Sequence, residues 1–178
     1  MTQPKVISSK KVYNGRVFDV VLDKIREGDV EYERDVVTHN GSAVIVAVFA
    51  DETIALVKQY RHSAQKYLYE ICAGSLNKDE NPEAGARREL EEEIGVTAGK
   101  LELLSEFYVS PGFLSEKMFV FLATDLTETA QNLEADEILE IEKFKFEQAF
   151  EMIRKNEIED AKTIIGLIFA GTKFGLNF

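Results

Sequence analysis

Cysteine occurs once in this chain, at Cys72, and histidine only twice. No intramolecular disulfide is therefore possible, and a zinc site would lack its usual ligands. Long apolar runs are missing too. No segment approaches the ~20 apolar residues of a membrane helix, and the opening MTQPKVISSKKVYNG has no apolar core of signal-peptide length. The expectation is a cytoplasmic protein with no membrane partner. Basic residues are in deficit, 21 against 32 acidic, for a net charge of −11. That disfavours a general nucleic-acid surface, which works by neutralising phosphates with Lys and Arg. An acidic protein that takes an anionic ligand needs a metal or a few placed arginines. Internal repeats and low-complexity segments are absent as well. What is present, 45% hydrophobic and 30% charged residues over 178 positions, suits one globular domain with a small appendage.

One stretch organises the rest: Gly74 to Val96, GSLNKDENPEAGARRELEEEIGV. Asn81 is a good N-cap, and Pro82 suits the first helical position, where a missing N–H costs nothing. Gly95 fits the left-handed position just past the helix end. At about 100° per residue, Ala86, Leu90 and Ile94 share one face, while Glu89, Glu92 and Glu93 fall in the adjoining sector. The acids therefore border the buried face. Like charges three or four apart destabilise a helix by ~0.2–0.5 kcal/mol per pair, so something must offset them. Arg88 is placed to serve Glu92, and Arg87 to serve Glu91. The remainder is within the power of a hard cation such as Mg²⁺, which prefers oxygen ligands and is held by a few carboxylates together with substrate phosphates.

An isolated run of three glutamates is most often a solvated helix face. The spacing of the whole stretch points elsewhere. It resembles the Nudix box, G-x5-E-x7-R-E-U-x-E-E-x-G-U with U aliphatic. Gly74, Glu80, Arg88, Glu89, Leu90, Glu92, Glu93, Gly95 and Val96 occupy every fixed position. The resemblance implies a Nudix hydrolase and its fold, an α/β (α+β) arrangement with a mixed β-sheet sandwiched between helices.

Hydrophobic patterning around the box fits that frame. Val6–Val12, Val17–Ile25 and Val30–Val37 read as strands, with a hairpin turn at Glu27-Gly28-Asp29, giving a small antiparallel N-terminal sheet over residues 1–40. Such a sheet is too slight to stand alone and is expected to pack on the main domain or on a second subunit. Residues 41–178 are expected to form the hydrolase domain. There Ala43–Ala50 reads as a strand buried on both faces, followed by strands at Thr53–Tyr60, Tyr67–Ile71, Leu101–Ser110, Lys117–Ala123 and Ile138–Phe146. Residues 124–137 read as an acidic loop of the length that tends to be functional. Helices at Phe150–Arg154 and Ala161–Ala170 close the chain.

Further motifs resemble the ADP-ribose pyrophosphatase group of that family. Glu70-Ile71-Cys72-Ala73-Gly74 is similar to its E-x-P-A-G element, with Cys72 in place of proline. Lys58-Gln59-Tyr60-Arg61 is similar to its Q-x-R strand end, the segment His39–Val44 to its H-P-G-x-V element, and Ser110–Glu116 to its S-P-G-x-x-x-E loop, with Pro111 fifteen residues after Val96. An aromatic platform found in some members is not evident, because tryptophan is absent and Arg16 follows Gly15.

By that resemblance, the carbonyl of Ala73 with Glu89 and Glu93 would hold Mg²⁺, Mn²⁺ being an alternative, and Glu92 would be a further ligand or partner. Arg88 would orient the acids. Arg61 would contact the diphosphate or adenosine half, with Glu70 lining the same substrate site, and Glu116 would bind the terminal ribose. Glu137 would be the general base, with Asp136 or Glu134 as substitutes. Tyr32 and Arg34 would reach substrate across a homodimer with exchanged N-terminal segments. The implied reaction is hydrolysis of ADP-ribose to AMP and ribose 5-phosphate. Alternatives are another nucleoside diphosphate derivative such as GDP-mannose, an oxidised nucleotide, or a non-catalytic nucleotide-binding sensor. Cys72 reads as a small buried hydrophobe.

Overall fold

The computed structural model describes residues 3–133, 135 and 137–178. Two compact units result, Met1–Gly41 with Phe107–Lys117, and Ser42–Glu106 with Met118–Phe178. The first unit thus takes in a segment from the middle of the chain.

In the first unit β1 (Lys5–Asn14), β2 (Asp19–Glu27) and β3 (Val30–Thr38) form an antiparallel meander. Gly28 supplies the positive φ of 61° at the β2–β3 hairpin, a conformation glycine adopts freely. The segment 107–117 is tied to β3 through Val37, whose N–H donates to Phe113 O at 2.7 Å and whose carbonyl accepts from Ser115 N at 2.9 Å.

In the second unit the chain forms β4 (Ser42–Ala47), β5 (Thr53–Arg61), β6 (Lys66–Glu70), β7 (Cys72–Ser75) and α1 (Pro82–Glu89). After α1 come β8 (Val96–Tyr108), β9 (Lys117–Glu128), β10 (Leu139–Lys145), α2 (Phe146–Arg154) and α3 (Ala161–Lys173), with β8 and β9 running beyond this unit at one end each. The strands make two sheets. One is mixed, in the order β7-β4-β9-β8, with β4 parallel to β9 and antiparallel to β7; the other is antiparallel, β10-β5-β6. Every residue of β4 is buried, as its unbroken apolar run requires of a strand covered on both faces.

Alternation along the mixed sheet sorts its side chains between two layers. Ala43, Ile45 and Ala47 of β4 with Phe121 and Ala123 of β9 share a core with Ala86, Leu90 and Ile94 of the box helix. On the opposite face Val46 and Val120 meet α3 at Gly166, where a Cβ would lie 2.5 Å from Ile71 Cδ1. The mixed sheet is therefore covered by helices on both sides. Among the described residues, no helix is long and apolar enough to cross a membrane.

Several boundaries differ from the sequence expectations. β4 ends at Ala47 rather than Ala50, which is exposed in a turn, and β8 begins at Val96 rather than Leu101. β9 continues to Glu128, so the acidic connection starts later than residue 124. α2 starts at Phe146 rather than Phe150, because Gln148 reaches back to accept the Lys145 N–H at 2.8 Å and organises an earlier first turn. Cys72–Ser75, read only as the approach to the box, is itself a strand held by pairing with β4.

Candidate active site

Local chemistry builds the helix that carries the acids. The Asn81 side chain accepts the N–H groups of Glu83 (2.9 Å) and Ala84 (3.3 Å), Pro82 occupies the first turn, and Gly95 closes the end at φ 68°. From Leu90 to Ile94 the α-helix widens into a π-helical turn. Glu89 immediately precedes this wider turn and Glu93 lies within it. Both are buried, at 7% and 4% exposure, whereas Glu92 is half-buried. The backbone N–H of Ala73 donates to Glu93 Oε2 at 3.1 Å, tying β7 to the helix. Burial pushes the Glu93 carboxyl up to about 7, with the charges of Glu89 and Glu137 adding to it. Glu89 is raised too, again by burial first, with Arg88 opposing and Glu92 and Glu137 reinforcing.

Arg88 is the hub of the cluster. Its Nη1 donates to Glu89 Oε1 (2.6 Å) and Glu92 Oε2 (2.8 Å), its Nε and Nη2 fork onto Glu80 (3.1 Å each), and Nη2 also reaches the Ser75 carbonyl at 3.2 Å. These partners, Glu80 foremost, raise the guanidinium pKa. Arg87 does not serve Glu91. It pairs with Glu83 at 2.9 Å and with the Ala98 carbonyl at 2.9 Å, because an acid one turn before a base is the better helical orientation.

Arg61, at the end of β5, forks onto Glu70 through Nε and Nη2, 2.6 Å each. Glu70 is 1% exposed and is also held by Lys162 of α3. Burial raises the Glu70 carboxyl, and the two cations more than cancel that, leaving it below its ordinary value. The Arg61 pKa is raised chiefly by Glu70, and Glu93 contributes as well, so this pair borders the acidic cluster.

A NUDIX domain family model matches residues 39–166. The chain belongs to the Nudix family. Over 178 residues it is 36% identical to an ADP-ribose pyrophosphatase of Bacillus subtilis strain 168, covering 98% of this chain and 96% of the relative. It is 33% identical to a methanol dehydrogenase activator of Bacillus methanolicus (93% and 91% covered), and 32% identical to a GDP-mannose pyrophosphatase of Escherichia coli O139:H28 (97% of each). A crystal structure of an ADP compounds hydrolase superposes with a TM-score of 0.86 at 21% identity, covering 98% of this chain and 96% of the other, which establishes the Nudix fold.

Nudix hydrolases generally use a divalent metal, and the donors here suit a hard one. Among the described residues, no three His, Cys, Asp or Glu groups close into a ready cage. A hard divalent cation accepts a few carboxylate oxygens and completes its shell with water and substrate phosphate. The cradle is specific. A Cβ on Gly74 would sit 2.0 Å from the Glu89 carboxylate, so the Nudix-box glycine makes the space in which that acid lies.

Of the expected site residues, the second unit brings together Ala73, Arg88, Glu89, Glu92, Glu93, Arg61 and Glu70. Half-buried Glu137 joins them by its charge, which acts on both Glu89 and Glu93. Asp136 and Glu134 lie outside the described residues. Tyr32, Arg34 and Glu116 belong to the first unit. There the Tyr32 hydroxyl donates to Glu27 at 3.1 Å, the Arg34 guanidinium lies 4.3 Å from the centre of the Tyr32 ring, and the Glu116 carboxylate is 3.8 Å from His39 Nδ1. Cys72 is fully buried, and burial beside Glu93 holds its thiol protonated. Sequence reading missed Lys162 and Gln131. Lys162 follows an N-cap, Asp160, that was itself a legible signal; nothing local marks Gln131, whose Nε2 donates to the Glu93 carbonyl at 2.6 Å.

Proposed function

We propose that this Nudix protein hydrolyses the diphosphate bond of ADP-ribose, giving AMP and ribose 5-phosphate, with Mg²⁺ as the working metal and Mn²⁺ as a substitute. The observation that carries the reading is the burial of two carboxylates, Glu89 and Glu93, at the end of a helix whose Arg88 already binds Glu80, Glu89 and Glu92, with the charge of Glu137 acting on both buried acids. The near-full-length likeness to the Bacillus subtilis ADP-ribose pyrophosphatase supports the substrate. The Ala73 carbonyl, Glu89 and Glu93 would hold the metal, with Glu92 beside them. When bound, the metal supplies charge neutralisation at the diphosphate and a lowered pKa for the attacking water.

Protein groups do the rest. Arg88 holds Glu89 and Glu92 in place and does not touch substrate. Arg61, with two nitrogens fixed on Glu70, keeps one guanidinium edge for a phosphate oxygen. Glu70 borders the substrate and serves it by fixing that guanidinium. Glu137 takes the proton from the attacking water, a role that requires hydrogen-bond reach to that water. Glu116 for the terminal ribose, and Tyr32 with Arg34 for adenine stacking and phosphate pairing across a homodimer, enter on the resemblance alone. The same reading sets the enzyme in the cytoplasm.

Product analysis after incubation with ADP-ribose and Mg²⁺, beside GDP-mannose and a metal-free control, tests the proposal. Metal-dependent AMP and ribose 5-phosphate are expected. Cleavage of GDP-mannose alone would keep the site chemistry and replace the substrate; metal-independent binding without turnover of any substrate would mean a sensor. Glu89→Gln should abolish turnover with the fold intact.

A further inference from the structure

The end of the box helix is closed by a segment that the hydrolytic reading does not use. The Gly95 N–H returns to the Glu91 and Leu90 carbonyls, which leaves the carbonyls of Glu92, Glu93 and Gly95 beyond the helix's own bonds. Each is met by one short stretch after β9. The Thr129 N–H donates to Gly95 O at 2.7 Å, the Asn132 N–H to Glu92 O at 3.0 Å, and Gln131 Nε2 to Glu93 O at 2.6 Å. Two of these bonds are backbone and survive any loop substitution other than proline at 129 or 132. The third depends on a side-chain amide.

The packing agrees. A Cβ on Gly95 would lie 3.0 Å from Gln131 N, 3.2 Å from its Cγ and 3.2 Å from Thr129 O, so the box glycine also leaves room for this stretch. Five residues beyond Asn132 the chain reaches Glu137, whose charge acts on Glu89 and Glu93. The stretch is thus fixed at the carbonyl of one acid and lies five residues before another.

We propose that Gln131 is a positioning residue: by donating to the Glu93 carbonyl it sets the register of the 129–132 segment, and so the placement of Glu137 beside Glu89 and Glu93. This rests on the hydrolytic reading and adds a residue to it. Gln131→Leu keeps the bulk and loses the donor, and Gln131→Glu sets an acceptor against an acceptor. Residues that orient groups at a metal site commonly change activity by about 10- to 100-fold, and kcat should fall by that factor in both variants while KM holds. Amide exchange should rise at Thr129 and Asn132, the two donors of the clamp, and stay unchanged in α1.

The decisive step is a cycle with Glu137→Gln, since groups that act as a unit are not additive. If Gln131 works through Glu137, Gln131→Leu should add little to the loss already caused by Glu137→Gln. Full multiplication of the two losses, or wild-type kcat in Gln131→Leu, would overturn the proposal. A parent chain that cleaves no diphosphate compound would instead overturn the hydrolytic reading, and the catalytic meaning of Gln131 with it; the exchange measurement would still show whether the clamp exists.

Discussion

The Glu89 carboxylate lies directly over the α-carbon of Gly74, where a Cβ would come within 2.0 Å of it. Gly74→Ala should therefore move the acid rather than unfold the chain, because the group in the way is the far end of a side chain. Overpacking of this kind costs ~1–3 kcal/mol. We expect a stability loss at the low end of that range by urea unfolding, together with a loss of turnover far larger than the stability change explains. Normal turnover would show that Glu89 works equally well from another position.

Arg88 pairs with three carboxylates through one guanidinium. Arg88→Lys keeps the charge and loses the fork, so it should behave more like Arg88→Ala than like the parent protein. Because the side chain is partly exposed, the expected cost is ~1–2 kcal/mol, below that of breaking a fully buried pair. Denaturant midpoints for both variants check it; an Arg88→Lys midpoint equal to the parent's would leave charge alone as the requirement.

For pH, Glu93 and Glu70 run in opposite directions. Glu93 has its folded pKa raised from 4.5 to about 7, so its contribution is fullest below pH 4.5 and is lost as pH rises through 7. The difference is on the order of 3 kcal/mol. Glu70 is held below its ordinary value, so its contribution is present above that value and is lost only in acid. Between pH 5 and 8 the metal-free protein should therefore lose stability as pH rises. Glu93→Gln should flatten that slope, and a slope unchanged by the substitution would place its origin elsewhere.

Metal should act on the same slope. A ligand that binds only the folded state stabilises by mass action, and Glu93 can ligate only when deprotonated. Added Mg²⁺ should raise the unfolding midpoint more at pH 8 than at pH 5, read by thermal melts with and without a chelator. Equal shifts at the two values would exclude Glu93 from the ligand set.

Glu70→Gln should separate binding from chemistry. It leaves Lys162 at 11% side-chain exposure with its partner charge reduced, and frees Arg61 to turn. KM should rise with little change in kcat, alongside a cost of ~3–5 kcal/mol for breaking a buried pair. A fall in kcat at constant KM would instead tie Glu70 to the transition state.

How much of this was legible depends on whether the signal is local. Asn81, Pro82 and Gly95 punctuate the box helix with their own backbone chemistry, and each does in the structure what its residue type foretells. The unbroken apolar run of β4 likewise announced its burial. The division of the strands into two sheets was not readable, because it depends on pairings such as Val44 with Val120 and Val57 with Ile141 that join distant parts of the chain. Cys72–Ser75 has almost no strand propensity and is a strand only because β4 presents an edge to it. The π-turn and the Gln131 clamp escaped for the same reason: both are defined by what packs at the helix end.

Ile71 donates its backbone N–H to Thr163 Oγ1 at 2.9 Å, and its neighbour Glu70 is gripped by Lys162, so the strand entering the box is anchored by α3, 92 residues away in sequence. The box helix can form from its own caps, whereas this anchor forms only once a long loop has closed, an entropic cost that local structure does not meet. While α3 is undocked, Glu70 has one cation instead of two, and the Ile71 amide lacks its hydroxyl. Opening of α3 alone would thus loosen the strand that leads into the site while leaving the helix that carries the acids intact.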